Sequence, residues 1–147
     1  HESQETGEVS PEMFKEFILP YQLRLAKRFG LNYYGCCEGL DKRFEYVKQI
    51  PRLRRVSVSQ WANIPLMSEM LGGDYVFCHK VSPTDIAVPQ IDEDYIRRRL
   101  NEVLTKCKAC GNHVELIMKD NHTIANTPYN AYRWVQLARE EVARVYG

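Results

Sequence analysis

The 147 residues of this chain are enough for one domain with a substantial hydrophobic core, and their charges nearly balance. Hydrophobic residues make up 44%, charged residues 27% and the formal net charge is +1, so we expect neither a nucleic-acid nor a membrane partner. No apolar run approaches the roughly 20 residues that span a bilayer, and no secretory signal is visible. The five cysteines lack the spacing of a disulfide framework, so we expect free thiols and a cytoplasmic location.

The first part of the chain predicts a long helix. Ser10 and Pro11 form a helix start, because serine caps the first N–H groups and proline fits the first turn. An apolar stripe at helical spacing follows as far as Phe29. We expect Pro20 to kink this helix and Gly30 to end it.

Strands and helices then alternate to the end of the chain. Apolar, β-rich runs predict strands over residues 31–34, 55–59, 75–80 and 114–118. Two short helices are predicted between the strands, over residues 42–49 with Asp41 as the cap and over residues 64–71 with Asn63 as the cap. A longer helix is predicted from Asp92 to Gly111, and a final helix begins at Pro128 or Tyr129. This alternation predicts an α/β fold with a parallel sheet, right-handed crossovers and a single domain over residues 1–147.

Reactive side chains follow the predicted strands. Cys36, Cys37 and Glu38 come after the first strand, Lys80 ends the third, and residues 119–122 follow the last. The carboxyl ends of parallel strands meet at one edge of a sheet, which is where α/β enzymes hold their active sites. The pattern is therefore typical of an enzyme.

Several of these stretches resemble a known family. They are Ser3-Gln4-Glu5, Ser10-Pro11-Glu12-Met13-Phe14, Pro20-Tyr21, Tyr34-Gly35-Cys36-Cys37-Glu38, Leu53-Arg54-Arg55-Val56-Ser57-Val58-Ser59 and Ile117-Met118-Lys119-Asp120-Asn121-His122-Thr123. Together they are similar to the C-terminal part of the uroporphyrinogen decarboxylase-like superfamily, which also contains the methylcobamide:thiol methyltransferases. The uncharacterised decarboxylase-like branch resembles the chain most.

The resemblance implies a (β/α)8 TIM-barrel fold, of which this chain would hold only the C-terminal half, about four βα units. A complete barrel takes roughly 250 residues. His1 stands where a start methionine is expected, which fits a piece of a longer protein. Half a barrel leaves two unpaired strand edges, so we expect either a missing N-terminal half-barrel or a homo-oligomer.

The resemblance also implies a metal site. In the methyltransferase relatives, a His-x-Cys after this strand and a Cys after the last strand bind zinc, which activates a thiol that takes a methyl group from a corrinoid. Tyr34 stands in the histidine position, Cys36 matches the cysteine, and His122 falls near the last ligand, while Cys37 or Glu38 could supply another. We expect zinc at Cys36, Cys37 and His122, with a corrinoid protein as partner. The alternative is one thiol buried inside the barrel and one packed against a helix.

Other polar residues are assigned to catalysis or substrate binding. Glu38, Lys119 and Asp120 could hold an anion or relay a proton, although a salt bridge would also explain the last two. The predicted substrate-binding residues are Gln4, Tyr34, Arg55, Ser57, Ser59 and Lys80. The arginine and the two serines share one face of their strand and could bind a carboxylate, or could form a polar layer inside the barrel.

The remaining motifs carry less weight. The pair Cys107 and Cys110 is an isolated CxxC at a helix end. His113 is interpreted as a surface histidine, and so is His79 if its side chain faces outward. We expect the full-length protein to be an enzyme with zinc-assisted, corrinoid-dependent methyltransferase or demethylase-like activity, because thiols and an imidazole suit a soft metal. This chain alone could be inactive. The alternatives are cofactor-free decarboxylation of a tetrapyrrole or other carboxylate substrate, and a non-catalytic half-barrel fragment or binding module.

Overall fold

The computed structural model describes residues 7–35 and 37–147. Its elements alternate as predicted. In chain order they are α1 (Pro11–Met13), a π-helical turn (Phe14–Ile18), α2 (Leu19–Ala26), β1 (Asn32–Tyr34), α3 (Phe44–Val47), β2 (Leu53–Ser59), α4 (Ile64–Leu71), β3 (Val76–Val81), a 3-10 turn (Pro83–Asp85), α5 (Glu93–Ala109), β4 (His113–Met118) and α6 (Pro128–Tyr146).

The interruption expected at Pro20 is a widened turn of helix. Ser10 caps α1, with its Oγ accepting a hydrogen bond from the Met13 N–H at 3.2 Å. The π-helical turn then ends just before α2, so Pro20 lies in the first turn of a new helix, where its missing N–H costs little. The expected end at Gly30 is wrong, because α2 stops at Ala26.

Two helix boundaries depend on contacts that are distant in sequence. Beyond α2, the Arg52 guanidinium donates to the carbonyls of Lys27 and Phe29, both at 2.9 Å, and so satisfies groups left open at a helix end. The predicted helix over 42–49 shortens to α3 and begins after Arg43, so Asp41 does not occupy its capping position. The caps Asn63 and Asp92 and the stop at Gly111 are confirmed.

All four strands are parallel and lie in the order β1-β2-β3-β4. Successive right-handed crossovers in one direction place the helices on one face of the sheet. The neighbouring packing of α4 with α5 and of α5 with α6 agrees with this arrangement. The predicted α/β class and parallel sheet are thus confirmed, and the strand order is compatible with half of a barrel.

The hydrophobic core lies on the helix side of the sheet. Val56, Val58 and Phe77 are fully buried there against α2, α3 and α4, and a second cluster around Leu104 and Leu137 joins α5 to α6. These strand residues are spaced two apart, as expected for one face of a strand. Among the described residues, no helix is long and apolar enough to cross a membrane.

His79 also lies on the helix side and is buried, so it does not meet the condition for a surface histidine. Its side chain is only 6% exposed, and its Nδ1 has no hydrogen-bond partner among the described residues. It lines a cavity of about 30 Å³ together with Asp85 and Arg99. Burial lowers the pKa of His79 from 6.5 to about 4, against the effect of a hydrogen bond to the Val58 backbone. His113 is exposed, as predicted.

Candidate active site

Three polar side chains meet at the carboxyl end of the sheet. The Lys80 ammonium donates to Cys37 Sγ at 3.9 Å, and the thiol in turn donates to Asp120 Oδ2 at 3.8 Å. Cys37 is 7% exposed and Lys80 is 6% exposed, whereas Asp120 lies at the surface. The thiol therefore sits between a buried cation and an accessible carboxylate.

Each member of this cluster comes from a different strand. Cys37 follows β1, Lys80 lies in β3 opposite Ser59 of β2, and Asp120 follows β4. The Lys119 N–H donates to the Val81 carbonyl at 2.9 Å, which keeps the chain beside β3 just before Asp120. Side chains that are far apart in sequence are thus fixed by the parallel ladder.

The loop that carries Cys37 is held close to the sheet. Leu40 and Phe44 are 1% exposed and anchor the end of the loop in the helix-side core. Between them and Cys37, a Cβ atom at Gly39 would lie 2.8 Å from Asp41 Oδ1 and 3.4 Å from Ala62 Cα. A side chain at Gly39 would therefore force the Asp41 carboxylate to move and would fill the space beside Ala62.

The contact between Cys37 and Asp120 also shows that the two ends of the sheet approach each other over one face. β1 and β4 are the outermost strands, with two strands between them. Neighbouring strands lie roughly 4.8 Å apart, so a flat sheet would separate these two by about 14 Å. The segments that follow them nevertheless meet, and they close over the face opposite the helices.

A second polar layer lies deeper on the same face. The Arg55 guanidinium pairs with Glu115, lies 4.3 Å from the Tyr33 ring centroid and donates to Cys78 Sγ at 3.3 Å. Burial and the Glu115 carboxylate raise the pKa of Cys78 to about 12. Burial opposes the charge of Arg55, but the hydrogen bond that the guanidinium donates to the Glu115 carboxylate helps to raise its pKa above the usual value. One residue from each strand contributes, so this polar layer crosses the whole sheet.

The structure divides the predicted substrate-binding residues. Lys80 lies in the cluster, and Ser57 and Ser59 are buried on the same face, where Ser59 Oγ accepts from the Trp61 N–H at 3.1 Å. Tyr34 is different: its ring is 1% exposed and packs in the helix-side core. The prediction that Tyr34 binds the substrate is therefore corrected. Adjacent strand residues point to opposite faces of the sheet, so Tyr33, and not Tyr34, lies on the face of Arg55.

The predicted catalytic and metal residues divide in a similar way. Cys37 and Asp120 come together, while Glu38 and His122 are exposed and Lys119 is partly exposed. Two further predicted residues, Gln4 and Cys36, lie outside the described residues.

A zinc site needs three or four ligands around one point. Within residues 7–35 and 37–147, no group of three or more histidine, cysteine, aspartate or glutamate side chains is placed to hold a metal. The Lys80 ammonium also stands where it would repel a cation bound to Cys37. The described residues alone do not supply a zinc site, and the predicted ligand Cys36 lies outside them, so no chemical step is assigned to zinc.

Sequence reasoning missed the deeper layer around Arg55. Tyr33, Cys78 and Glu115 were not singled out, although strand alternation places Glu115 on the same face as Cys78 once the register is known. Comparison with known proteins found no matching family model, no matching curated protein and no matching solved structure.

Proposed function

We propose that this chain is half of a (β/α)8 barrel enzyme of the uroporphyrinogen decarboxylase-like superfamily, with a methyltransferase or demethylase-like activity centred on Cys37. The observation that supports this most is the chain of hydrogen bonds from Lys80 through Cys37 to Asp120 at the carboxyl end of a parallel sheet. Active sites of barrel enzymes lie at this end.

The cluster supplies what a reactive thiol needs. The nucleophilic form of cysteine is the thiolate, and a neighbouring cation favours it. The Asp120 carboxylate can accept the proton from Cys37 Sγ, and the Lys80 ammonium then faces the sulfur anion. The proton ends on an exposed carboxylate, from which it can pass to solvent.

Zinc and a corrinoid partner remain predictions from the resemblance. A corrinoid bound beside the cluster would supply the methyl group to the thiol of the substrate. The residues of this chain would orient that thiol and keep water from it, because Cys37 and Lys80 are both more than nine-tenths buried.

Decarboxylation receives less support from the geometry. Its predicted substrate anchor was Arg55, and that guanidinium already pairs with Glu115 and stacks on Tyr33. A substrate carboxylate would have to displace Glu115 from a hydrogen-bonded ion pair. The thiol cluster, by contrast, is assembled without the substrate.

The activity is tested by incubating the chain with methylcobalamin and 2-mercaptoethanol and following the loss of methylcobalamin absorbance and the appearance of the methyl thioether. We expect Cys37→Ser to abolish turnover and Cys110→Ser, a change of a partly exposed thiol at the end of α5, to retain it. Equal turnover in both variants would contradict the proposal. Release of carbon dioxide from a porphyrinogen without methyl transfer would favour decarboxylation instead.

The reactivity of the thiol is tested separately by alkylation with iodoacetamide and peptide mass spectrometry in a Cys36→Ser background. Burial raises the pKa of Cys78 to about 12 and of Cys107 to about 11, so these two thiols serve as internal controls. We expect Cys37 to react about tenfold faster than Cys78 or Cys107. In Lys80→Met we expect this difference in rate to fall to about threefold, because the thiolate loses its neighbouring cation. An unchanged rate in Lys80→Met would show that the ammonium does not act on the thiol.

A further inference from the structure

A thiol and an amine, both nucleophiles, lie together at the carboxyl end of the sheet. Cys37 Sγ and Lys80 Nζ are 3.9 Å apart, and the two side chains are 7% and 6% exposed. Lys80 belongs to β3 and Cys37 follows β1, so these groups come together although they are 43 positions apart in sequence. The methyl transfer proposed above uses Lys80 only as a cation. Once it has lost a proton, its amine can also attack an electrophile, which gives this pair a second kind of chemistry.

The surroundings of Cys37 favour its oxidation by a small peroxide. Hydrogen peroxide converts a cysteine thiolate to a sulfenic acid, which is the first step of cysteine oxidation. The Lys80 cation favours the thiolate, and the exposed Asp120 carboxylate contacts the sulfur at 3.8 Å. A molecule of this size can therefore reach the sulfur from the side of Asp120. The sulfur gains one oxygen atom and is oxidised, while the peroxide is reduced to water.

The group beside the sulfur decides what happens to a sulfenic acid. It condenses with a neighbouring thiol or nitrogen, or it is oxidised further to a sulfinic acid. At Cys37 the neighbouring nitrogen is Nζ of Lys80. The Cys78 thiol lies on the same face of β3, but Arg55 donates to its sulfur at 3.3 Å, and burial raises its pKa to about 12. Cys78 therefore stays a protonated thiol, and the amine is the nucleophile placed to react.

We propose that Cys37 and Lys80 form a modification site, at which hydrogen peroxide produces a sulfenamide bond between Cys37 Sγ and Lys80 Nζ. The amine attacks the sulfur of the sulfenic acid, and the sulfur–oxygen bond breaks. One amine proton joins the departing oxygen, which leaves as water, and the extra proton of the original ammonium passes to solvent. The complete reaction consumes a thiol, an amine and one hydrogen peroxide, and it releases two molecules of water.

The fold holds the two reactants in place before oxidation. Lys80 pairs with Ser59 in the parallel ladder, and the Cys37 loop is anchored by Leu40, which is 1% exposed. The lysine nitrogen stands on a flexible four-carbon stem, so rotation about side-chain bonds can bring Nζ to the sulfur while the strands stay where they are. The condensation is intramolecular, which favours it over reaction of the sulfenic acid with a molecule from solution.

The bond protects the thiol reversibly. A small thiol attacks the sulfur of the sulfenamide and releases the Lys80 amine, and a second thiol reduces the resulting mixed disulfide and restores Cys37. A sulfinic or sulfonic acid, by contrast, is not restored by thiols. Formation of the bond requires only Cys37, Lys80 and peroxide, so the inference does not depend on the proposed methyl transfer.

The test treats the chain with hydrogen peroxide in a Cys36→Ser/Cys110→Ser background. These substitutions remove the thiol next to Cys37 and the partly exposed thiol at the end of α5, both of which could form disulfides. We expect a product that is lighter than the untreated chain by two hydrogen atoms and that trypsin no longer cleaves after Lys80. Dithiothreitol should restore both the mass and the cleavage. Complete cleavage after Lys80 in the oxidised chain would overturn the proposal.

Substitution of the amine separates its nucleophilicity from its charge. Lys80→Arg keeps a cation beside Cys37 but removes the lysine amine. We expect this variant to lose the link, and dimedone, which labels sulfenic acids, to label its Cys37 at least about tenfold more than in the chain with Lys80. Lys119→Arg is the matched control at the same end of the sheet and should form the link as before. A link that persists in Lys80→Arg, or equal dimedone labelling with and without Lys80, would contradict the assigned bond.

Mass spectrometry of the linked peptides identifies the bond itself. We expect the peptide with Cys37 to be joined to the peptide with Lys80 without a retained oxygen atom. A pair joined through Cys78, in which trypsin still cleaves after Lys80, would identify a disulfide and refute the sulfenamide. A pair that retains one oxygen atom would identify an oxygen-bridged link and would also refute the direct sulfur–nitrogen bond. Formation of the expected link in a chain that shows no methyl transfer would refute the proposed function alone.

Discussion

The buried His79 predicts a specific loss of stability in mild acid. Its side chain is 6% exposed, and burial lowers its pKa from 6.5 to about 4 in the folded protein. Between these two values the unfolded chain binds a proton that the folded chain does not bind. Stability therefore rises with pH across this window and falls as the pH drops from 7 toward 4.

The magnitude follows from the shift. Each unit of pKa corresponds to about 1.4 kcal/mol, so the complete penalty is about 3 kcal/mol, reached below both pKa values. Between about pH 7 and about pH 5, the linkage relation gives a loss of about 2 kcal/mol in the free energy of unfolding from this residue alone. Burial also raises the pKa of the neighbouring Asp85 carboxyl, so this group stabilises the folded protein as the pH falls. Asp85 is present in all the variants compared below, so its effect cancels in the comparison.

The assay is urea denaturation of the chain and of His79→Gln at both pH values. Glutamine does not titrate and can still donate a hydrogen bond to the Val58 carbonyl. We expect the loss of unfolding free energy on acidification to be about 2 kcal/mol smaller in His79→Gln than in the original chain. His113→Gln, which changes an exposed histidine on β4, controls for the substitution itself. An equal acid loss in His79→Gln and the original chain would refute the reasoning.

Two further predictions concern packing around the sheet, and both are measured by chemical denaturation. The Asn130 side-chain amide donates to the carbonyls of Ile86 at 3.1 Å and Val88 at 2.7 Å, and so ties this loop to the start of α6. We expect Asn130→Ala to release the loop and to lower the free energy of unfolding by about 2 kcal/mol. A loss below about 0.5 kcal/mol would contradict this role. Phe77 is fully buried in the helix-side core, so Phe77→Ala should lower the free energy of unfolding by about 4 kcal/mol. Phe29 is 54% exposed, so Phe29→Ala should lower it by less than about 1 kcal/mol. Equal losses in the two variants would contradict the assigned core.

The candidate site was predictable in part. Cys37, Lys80 and Asp120 each follow or end a predicted strand, and parallel strands bring such residues to one edge. The side of the strand was harder to assign. Tyr34 and His79 both belong to the helix-side core, because a shift of one position along a strand reverses the face.

Local signals in the sequence determined the number, type and order of the elements. The caps Ser10, Asn63 and Asp92 and the stop at Gly111 act within one helical turn, and strand periodicity depends only on neighbouring residues. These effects need no tertiary contact, so the alternating α/β architecture could be predicted from the sequence.

Only the tertiary structure decided which groups meet. The segments after β1 and β4 approach each other over one face of the sheet, which places Cys37 beside Asp120 across 83 positions of sequence. The same packing pairs Arg55 with Glu115 and buries His79 beneath α5. Such contacts depend on register and curvature, which arise from the summed packing of all four strands and their helices, and no short stretch of residues carries that information.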